Sequence, residues 1–203
     1  MFEKFISTYR SDAAFEQGRN DVVAPTLNEF LKAFGGESFN NGIYRVFSAP
    51  SIERWNDLIS YAFPKFRAHA NCFAVDWLGR IFALDDRRLE RGAAGVVMFE
   101  PGTGDALEIP CNILSFHEEE LVDYREEALA ESFYRNWISC GGAAPSETQC
   151  VGYKRPLFLG GADTVQNLEI SDLEVYWEIS SKLIQTARDL AVGTAIGSIS
   201  IGP

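Results

Sequence analysis

The sequence is poor in the residues that most often build metal and redox sites. Histidine occurs only twice in 203 residues, as His69 and His117. No Cys-x-x-Cys pair is present among the four cysteines, which are Cys72, Cys111, Cys140 and Cys150. Zinc knuckles and thioredoxin-like sites need close cysteine pairs, so both are excluded. We therefore predict no bound metal, no cofactor, and four reduced thiols that act as small hydrophobic side chains.

Long apolar runs are also missing. The longest uncharged stretch spans residues 190–203 and is rich in glycine and serine, so it is too short and too polar to cross a bilayer. The first ten residues, MFEKFISTYR, place charges between apolar positions and lack the continuous apolar core of a signal peptide. We therefore expect a cytoplasmic protein without membrane contact, ending in a mobile tail over 193–203.

Basic residues are scarce relative to acidic ones. Eighteen lysines and arginines oppose 29 aspartates and glutamates, which gives a formal net charge of −11. Fourteen of the acidic residues and six of the basic ones lie between residues 71 and 140. Because proteins bind a phosphate backbone through lysine and arginine, this balance argues against direct nucleic-acid binding and favours a basic protein partner.

Neither glycine-rich segment completes a phosphate-binding motif. Gly102 and Gly104 lack the third glycine and the following helix of a dinucleotide fold, and Gly160–Gly161 lack the Lys-Ser/Thr of a P-loop. Both segments are predicted to be turns. Neither histidine lies beside a candidate nucleophile, so we predict no catalytic residues and no enzyme activity. A small hydrolase that unites His117 with a cysteine through the fold remains an alternative.

Apolar periodicity predicts helices at both ends of the chain and strands in the middle. The predicted helices cover residues 2–17, 25–34, 52–62 (capped by Ser51), 118–138, and a last helix that starts at a Ser171–Glu174 capping box. The predicted strands cover 43–47 and two hairpins, 71–76 with 80–84 and 95–100 with 106–109, while 151–161 is a short strand or a loop.

Tight turns join the predicted strands, so the sheet should be mostly antiparallel. The predicted fold class is α+β: a sheet of hairpins flanked by N-terminal helices and by two long C-terminal helices. We divide the chain into a segment 1–66, a domain 67–192 and the tail 193–203. The first two units can pack as one.

A run of acidic residues within the predicted helix 118–138 is the most unusual feature of the sequence. Glu119, Asp123, Glu127 and Glu131 follow one another at steps of four, which places them on one face of a helix. Like charges at this spacing repel one another weakly. The strip is either a solvated outer face, which is the usual role of charge runs, or a docking face for a basic protein.

Residues 152–179, GYKRPLFLGGADTVQNLEISDLEVYWEI, resemble a motif from the C-terminal domain of bacterial type VI secretion immunity proteins of the Tdi type, which act against DNase toxins. The matching positions are Gly152, Tyr153, Lys154, Pro156–Gly161, Asn167–Glu169, Ser171, Asp172 and Glu174–Trp177. Residues 70–150 are similar to the rest of that domain. Residues 1–66 resemble, more weakly, the GAD-like segment that precedes the domain in such proteins.

The resemblance implies an antitoxin. Proteins of this family are encoded beside a secreted toxin, often a DNase, and bind it so that the producing cell survives. A basic toxin surface would suit the acidity of this chain, and we expect a monomer until the complex forms. An adaptor or chaperone that loads an effector onto the secretion machine is the alternative within the same system.

Most motif residues have a structural interpretation from the sequence alone. Tyr176 and Trp177 fall on the inner stripe of the last helix. Gly152 and Tyr153 fall in the short strand or loop that precedes it. Loop-shaping and capping positions are Pro156, Gly160, Gly161 and Ser171. Lys154, Asp163 and Asn167 are then the polar residues left for contact with a partner, and Lys154 and Asp163 join the acidic strip as the predicted contact residues.

Overall fold

A meander of antiparallel strands forms the centre of the molecule, in a computed structural model that describes residues 1–13 and 24–188. Each strand pairs with its neighbours in sequence, in the order β1 to β6. The strands are β1 (Ser38–Phe39), β2 (Tyr44–Val46), β3 (Ala70–Asp76), β4 (Ile81–Glu90), β5 (Ala93–Glu100) and β6 (Asp105–Asn112). Both predicted hairpins are therefore confirmed, and the fold class is α+β with an antiparallel sheet.

The turn between β3 and β4 is built around a buried acidic side chain. Asp76 Oδ1 accepts hydrogen bonds from the main-chain nitrogens of Leu78 at 3.0 Å and Arg80 at 2.9 Å. An aspartate at this position satisfies turn amides that the ladder leaves free. The turn holds Trp77 in a fully buried position, where its ring packs against Phe133 and Tyr134.

Helices precede and follow the sheet. They are α1 (Glu3–Thr8), α2 (Leu27–Phe34), α3 (Ile52–Ala62), α4 (Ile113–Ser115), α5 (Leu121–Asp123), α6 (Arg125–Leu129), α7 (Glu131–Ser139) and α8 (Leu173–Ala187). Between α4 and α5 lies a π-helical turn, Phe116–Glu120. Of the two long C-terminal helices predicted, α8 is continuous and the other is divided into short pieces.

Successive side chains of each strand point to opposite faces of the sheet, and both faces are buried. Phe82 and Val96 point into a cluster with α1, α2 and the segment 113–134, whereas Ile81 and Val97 point into a second cluster with α3 and α8. The first cluster is dominated by aromatic rings, among which Phe5 stacks on Tyr9 with centroids 5.1 Å apart. The helices therefore cover the sheet from two sides.

A second, two-stranded sheet carries the start of the motif. It consists of β7 (Gln149–Tyr153) and β8 (Leu168–Asp172), which pair antiparallel. The main-chain nitrogen of Val151 donates to the oxygen of Trp77 at 2.7 Å, so the small sheet is tied to the β3–β4 turn. The predicted short strand at 151–161 is thus a strand up to Tyr153 and a loop after it.

Two predicted caps are wrong. The Ser51 side chain does not cap α3, because a 3₁₀ turn at Ala49–Ser51 precedes the helix and the hydroxyl donates to the Ser48 oxygen at 2.9 Å. Ser171 belongs to β8, and Asp172 is the cap of α8, accepting from the nitrogen of Val175 at 3.0 Å.

Two helix boundaries differ from the predicted ones. α1 ends at Thr8, and α2 begins at Leu27 after a Thr26 cap rather than at Pro25. Residues 14–17 of the predicted first helix and the predicted tail 193–203 lie outside the described residues. The division of the chain at residue 66 stays a prediction.

Candidate partner-binding surface

The acidic strip does not lie on one continuous helix. Tyr124 separates α5 from α6, and Ala130, in the left-handed region with φ 50° and ψ 49°, separates α6 from α7. Each break changes the direction of the chain, so residues four apart across a break no longer share a face. The helix predicted over 118–138, and the single stripe of four carboxylates on it, are therefore wrong.

Hydrogen bonds from distant side chains explain both breaks. Tyr9 Oη donates to the Leu121 oxygen at 2.7 Å, Arg80 Nη2 to the Ala128 oxygen at 3.0 Å, and Trp77 Nε1 to the Leu129 oxygen at 2.8 Å. In a continuous helix these carbonyls would accept from the amides four residues ahead. At the breaks, core side chains take the place of those amides as donors to the three carbonyls.

Two carboxylates of the strip are neutralised within the protein. Glu119 binds the Arg91 guanidinium through both oxygens, at 2.7 and 2.9 Å, and this hydrogen-bonded pair lowers the pKa of Glu119. Glu131 lies 3.3 Å from Arg135 and 3.7 Å from Arg125. Arg91 comes from the β4–β5 turn, 28 residues away, which no local pattern predicts.

Asp123 and Glu127 retain unpaired carboxylates. Within the described part of the chain neither side chain has a hydrogen bond or an ion pair, and both are exposed. Tyr124, which marks the first break, is 53% exposed and lies beside Asp123 in the chain. We call Asp123, Tyr124 and Glu127 the acidic patch. It is the part of the predicted strip that is exposed and unpaired among the described residues.

The other two predicted contact residues are engaged inside their own loop. Lys154 Nζ donates to the Gln166 oxygen at 2.9 Å, and Asp163 accepts from the Tyr153 hydroxyl at 2.7 Å. Asn167 ties the same loop together, since its amide nitrogen donates to the oxygens of Arg155 and Ala162. These bonds give Lys154 and Asp163 a role in holding the loop between β7 and β8.

The rest of the motif shapes the core around α8. Tyr153, Pro156, Tyr176 and Trp177 are buried, and Gly160 ends the 3₁₀ turn Leu157–Leu159. Two glycines permit close approaches: a Cβ on Gly152 would lie 2.6 Å from the Tyr176 ring, and one on Gly161 would lie 1.9 Å from the Arg155 oxygen. These residues thus lie in the core or at turns, whereas Ser171 lies in β8.

His117 is a core residue. It is fully buried, its Nδ1 donates to the Ile113 oxygen at 2.7 Å, and its Nε2 accepts from the Tyr44 hydroxyl at 2.8 Å. The carbonyl can only accept, so the proton lies on Nδ1. Burial lowers the pKa of His117 to about 3. Both nitrogens are thus used in the fold, and neither bonds to a cysteine.

The thiols of Cys111 and Cys150 are poor nucleophiles. Burial raises the pKa of Cys111 and of Cys150 to about 12, so both are protonated at neutral pH. Cys140 is exposed, and all four cysteines are free. The hydrolase alternative has neither an accessible histidine at His117 nor an activated thiol beside it.

Sequence analysis missed a buried charge network beneath the β3–β4 turn. Arg80 Nε donates to the carboxylate oxygen Oδ2 of Asp76 at 2.6 Å, and Arg45 Nη2 donates to the main-chain oxygen of Asp76 at 3.1 Å. Arg45 Nη1 also donates to the Ser146 oxygen at 2.6 Å, which fastens the 146–149 loop to β2. An aspartate and an arginine flank the predicted hairpin turn, and this spacing could have predicted the ion pair of Asp76 and Arg80.

A pocket of about 230 Å³ lies beside this network, lined by Arg45, Trp55 and Leu173 among others. Among the described residues, no group of three or more His, Cys, Asp or Glu side chains could hold a metal ion. None of the described helices is long and apolar enough to cross a membrane.

The same architecture occurs in a solved structure. Atu4351 from Agrobacterium tumefaciens superposes with a TM-score of 0.61 at 15% sequence identity, over 90% of this chain and 89% of that one. At this identity the likeness shows the fold alone. A search of curated protein sequences found no match.

A family model matches the C-terminal part of the chain. Residues 113–184 match the family described as "T6SS immunity protein Tdi1, C-terminal", a range that includes the acidic patch, the second sheet and most of α8. The match does not reach residues 1–112, so the GAD-like resemblance of residues 1–66 and the resemblance of residues 70–112 to the immunity domain stay predictions. Members of an immunity family have a toxin as partner. Residues 113–184 are therefore similar to the C-terminal domain of the Tdi1 type VI secretion immunity proteins, as the resemblance of the motif predicted.

Proposed function

We propose that this protein neutralises a cognate type VI toxin, a nuclease, by binding its basic substrate surface. The observation that carries the proposal is the match of residues 113–184 to the immunity family. The proposed inhibitor works by stoichiometric binding rather than by catalysis. It acts in the cytoplasm, where the nucleic acid lies, and stays a monomer until it meets the toxin.

Charge supports this choice of partner. A nuclease must present positive surface to hold phosphate groups. The net charge of −11 attracts such a surface, and rim charges chiefly set the rate of association. The acidic patch is the part of the matched segment best suited to this role, because Asp123 and Glu127 are exposed and unpaired among the described residues.

The test compares two charge reversals with the same spacing and the same change of charge. Asp123→Lys with Glu127→Lys alters the acidic patch, and Glu53→Lys with Asp57→Lys alters two exposed positions four residues apart on α3. Association with the purified toxin domain encoded beside this gene is measured at several salt concentrations. We expect the patch variant to associate more slowly than the α3 variant and to approach the wild-type rate near 1 M salt, where the Debye length is about 3 Å.

Equal rates and equal salt dependence for the two variants would place the interface outside the acidic patch. A wild-type protein that neither binds the toxin nor inhibits its nuclease activity would overturn the proposed function. Binding without inhibition of the purified toxin would favour an effector-loading adaptor instead.

A further inference from the structure

A groove opens between β8 and α8, on the part of the chain that matches the immunity family. Its volume is about 290 Å³. Val175 and Ile179 line it one helical turn apart, and these aliphatic side chains are 51% and 40% exposed. Tyr176 and Leu183, both buried, form its deeper wall. Because both side chains line the same groove one turn apart, they form one contiguous apolar patch, and a contiguous patch rimmed by polar residues is the kind that marks a binding groove.

The amphipathic pattern of α8 does not account for this exposure. Leu173, Trp177 and Ile184 already bury the inner stripe of the helix against the sheet. Val175 and Ile179 lie outside this stripe of α8 and are not part of the core cluster. The neighbouring Glu174 and Glu178 are held by Arg54, which leaves the aliphatic pair uncovered by these long side chains.

Two acidic side chains line the groove. Glu169 and Asp172 line it and are exposed. Glu169 has no hydrogen bond or ion pair within residues 1–13 and 24–188, whereas one oxygen of Asp172 caps α8. Lys154, the one basic side chain in the lining, donates to the Gln166 oxygen. The rim therefore carries a net negative charge around an apolar centre.

We propose that this groove is the apolar anchor of the toxin interface. It takes an aliphatic or aromatic side chain from a toxin segment that also presents a basic residue to Glu169. The inference rests on the proposed function and names where the partner is held. Binding energy in protein interfaces concentrates in a few apolar anchors inside a polar rim. In this arrangement the acidic patch speeds the encounter and the groove slows dissociation.

The test uses two pairs of exposed aliphatic residues. Val175→Ser with Ile179→Ser empties the groove face, and Leu107→Ser with Ile138→Ser is the matched control, since those side chains are 46% and 40% exposed elsewhere. Dissociation of the purified toxin domain is measured for both variants, with melting temperatures to confirm folding. We expect the groove variant to dissociate at least about tenfold faster, with an unchanged salt dependence, and the control to behave as wild type.

A single charge reversal tests the rim. Glu169→Lys should slow association with the toxin more than Glu53→Lys, which alters an exposed glutamate of α3. A second copy of this chain is the rival occupant. It would show as a wild-type dimer in light scattering that the groove variant converts to monomer.

Each outcome is decisive. Wild-type dissociation from the groove variant, equal losses in both serine variants, or a dimer that depends on Val175 and Ile179 would overturn the inference while the proposed function stands. A wild-type protein that does not bind the toxin at all removes the proposed function, and the two failures are therefore distinguishable.

Discussion

Trp177 Nε1 donates a hydrogen bond to the main-chain oxygen of Gly79 at 2.7 Å, across 98 residues of sequence. The bond joins α8, near the end of the family match, to the turn between β3 and β4. The same turn supplies Trp77, whose indole bonds to the Leu129 oxygen on the opposite side of the sheet. One tight turn thus positions both helical layers.

Replacement of Trp177 tests this connection. Trp177→Ala should lower the free energy of unfolding by about 3–5 kcal/mol, because the side chain is fully buried. Trp177→Phe should cost less, since it keeps most of the apolar volume and loses the bond to the Gly79 oxygen. Urea denaturation measures both. A Trp177→Ala variant as stable as wild type would show that the indole is not part of the core.

The pH dependence of stability should report His117. Burial lowers its pKa from 6.5 to about 3, so between these values the unfolded chain binds a proton that the folded chain does not. Stability is therefore lost as the pH falls from 6.5 towards 3, by about 1.4 kcal/mol per pH unit from this residue. His117→Gln should show a slope shallower by that amount in denaturation at several pH values. Identical slopes would contradict the buried neutral imidazole.

The buried pair of Asp76 and Arg80 should be far more costly to break than an exposed one. Asp76→Ala leaves a buried guanidinium without its partner and should cost about 3–5 kcal/mol of unfolding free energy. Glu29→Ala, which breaks the exposed pair with Lys32 at a similar distance, should cost about 1 kcal/mol or less. Chemical denaturation of the two variants compares them. Similar losses would mean that Asp76 is hydrated rather than buried.

Thiol reactivity should single out one cysteine. Cys140 is exposed, whereas Cys72, Cys111 and Cys150 are buried. Iodoacetamide should label the native protein at Cys140 and label all four thiols in denaturant, as peptide mass spectrometry can measure. Cys140→Ser serves as the control and should leave the native protein unlabelled. Rapid native labelling of Cys111 would show that β6 opens.

The regular elements were predictable because each depends on nearby residues. The predicted helix 52–62 and the hairpins around Gly79 and Gly102 correspond to observed elements, since apolar spacing and turn residues determine them locally. The family resemblance of residues 152–179 likewise needed only the motif. The inner stripe of the last helix correctly included Tyr176 and Trp177.

The acidic strip was harder to predict because distant residues decide its shape. The partners that break the predicted helix, Tyr9, Trp77 and Arg80, lie 112, 52 and 48 residues from the carbonyls they bind. Arg91 reaches Glu119 from another hairpin. Helical periodicity depends only on the residues of the segment itself, so it gives no information about hydrogen-bond donors elsewhere in the chain. Of the four carboxylates in the predicted strip, Asp123 and Glu127 are exposed and unpaired among the described residues.

The sequential order of the strands has a consequence for how the chain folds during synthesis. From β3 to β6 each strand pairs with the next strand across a short turn, and such short-range pairing favours rapid folding. Only the pairing of β2 with β3 spans a longer segment among these strands, which includes α3. During synthesis the sheet can assemble while α8 is still being made. The bond from Trp177 to Gly79 closes the structure only when residue 177 has emerged. A nascent chain cut before that point lacks α8 on the sheet face that α3 and α8 cover together, and it lacks the helical wall of the groove between β8 and α8. The proposed binding of a toxin should therefore begin with completion of the last helix.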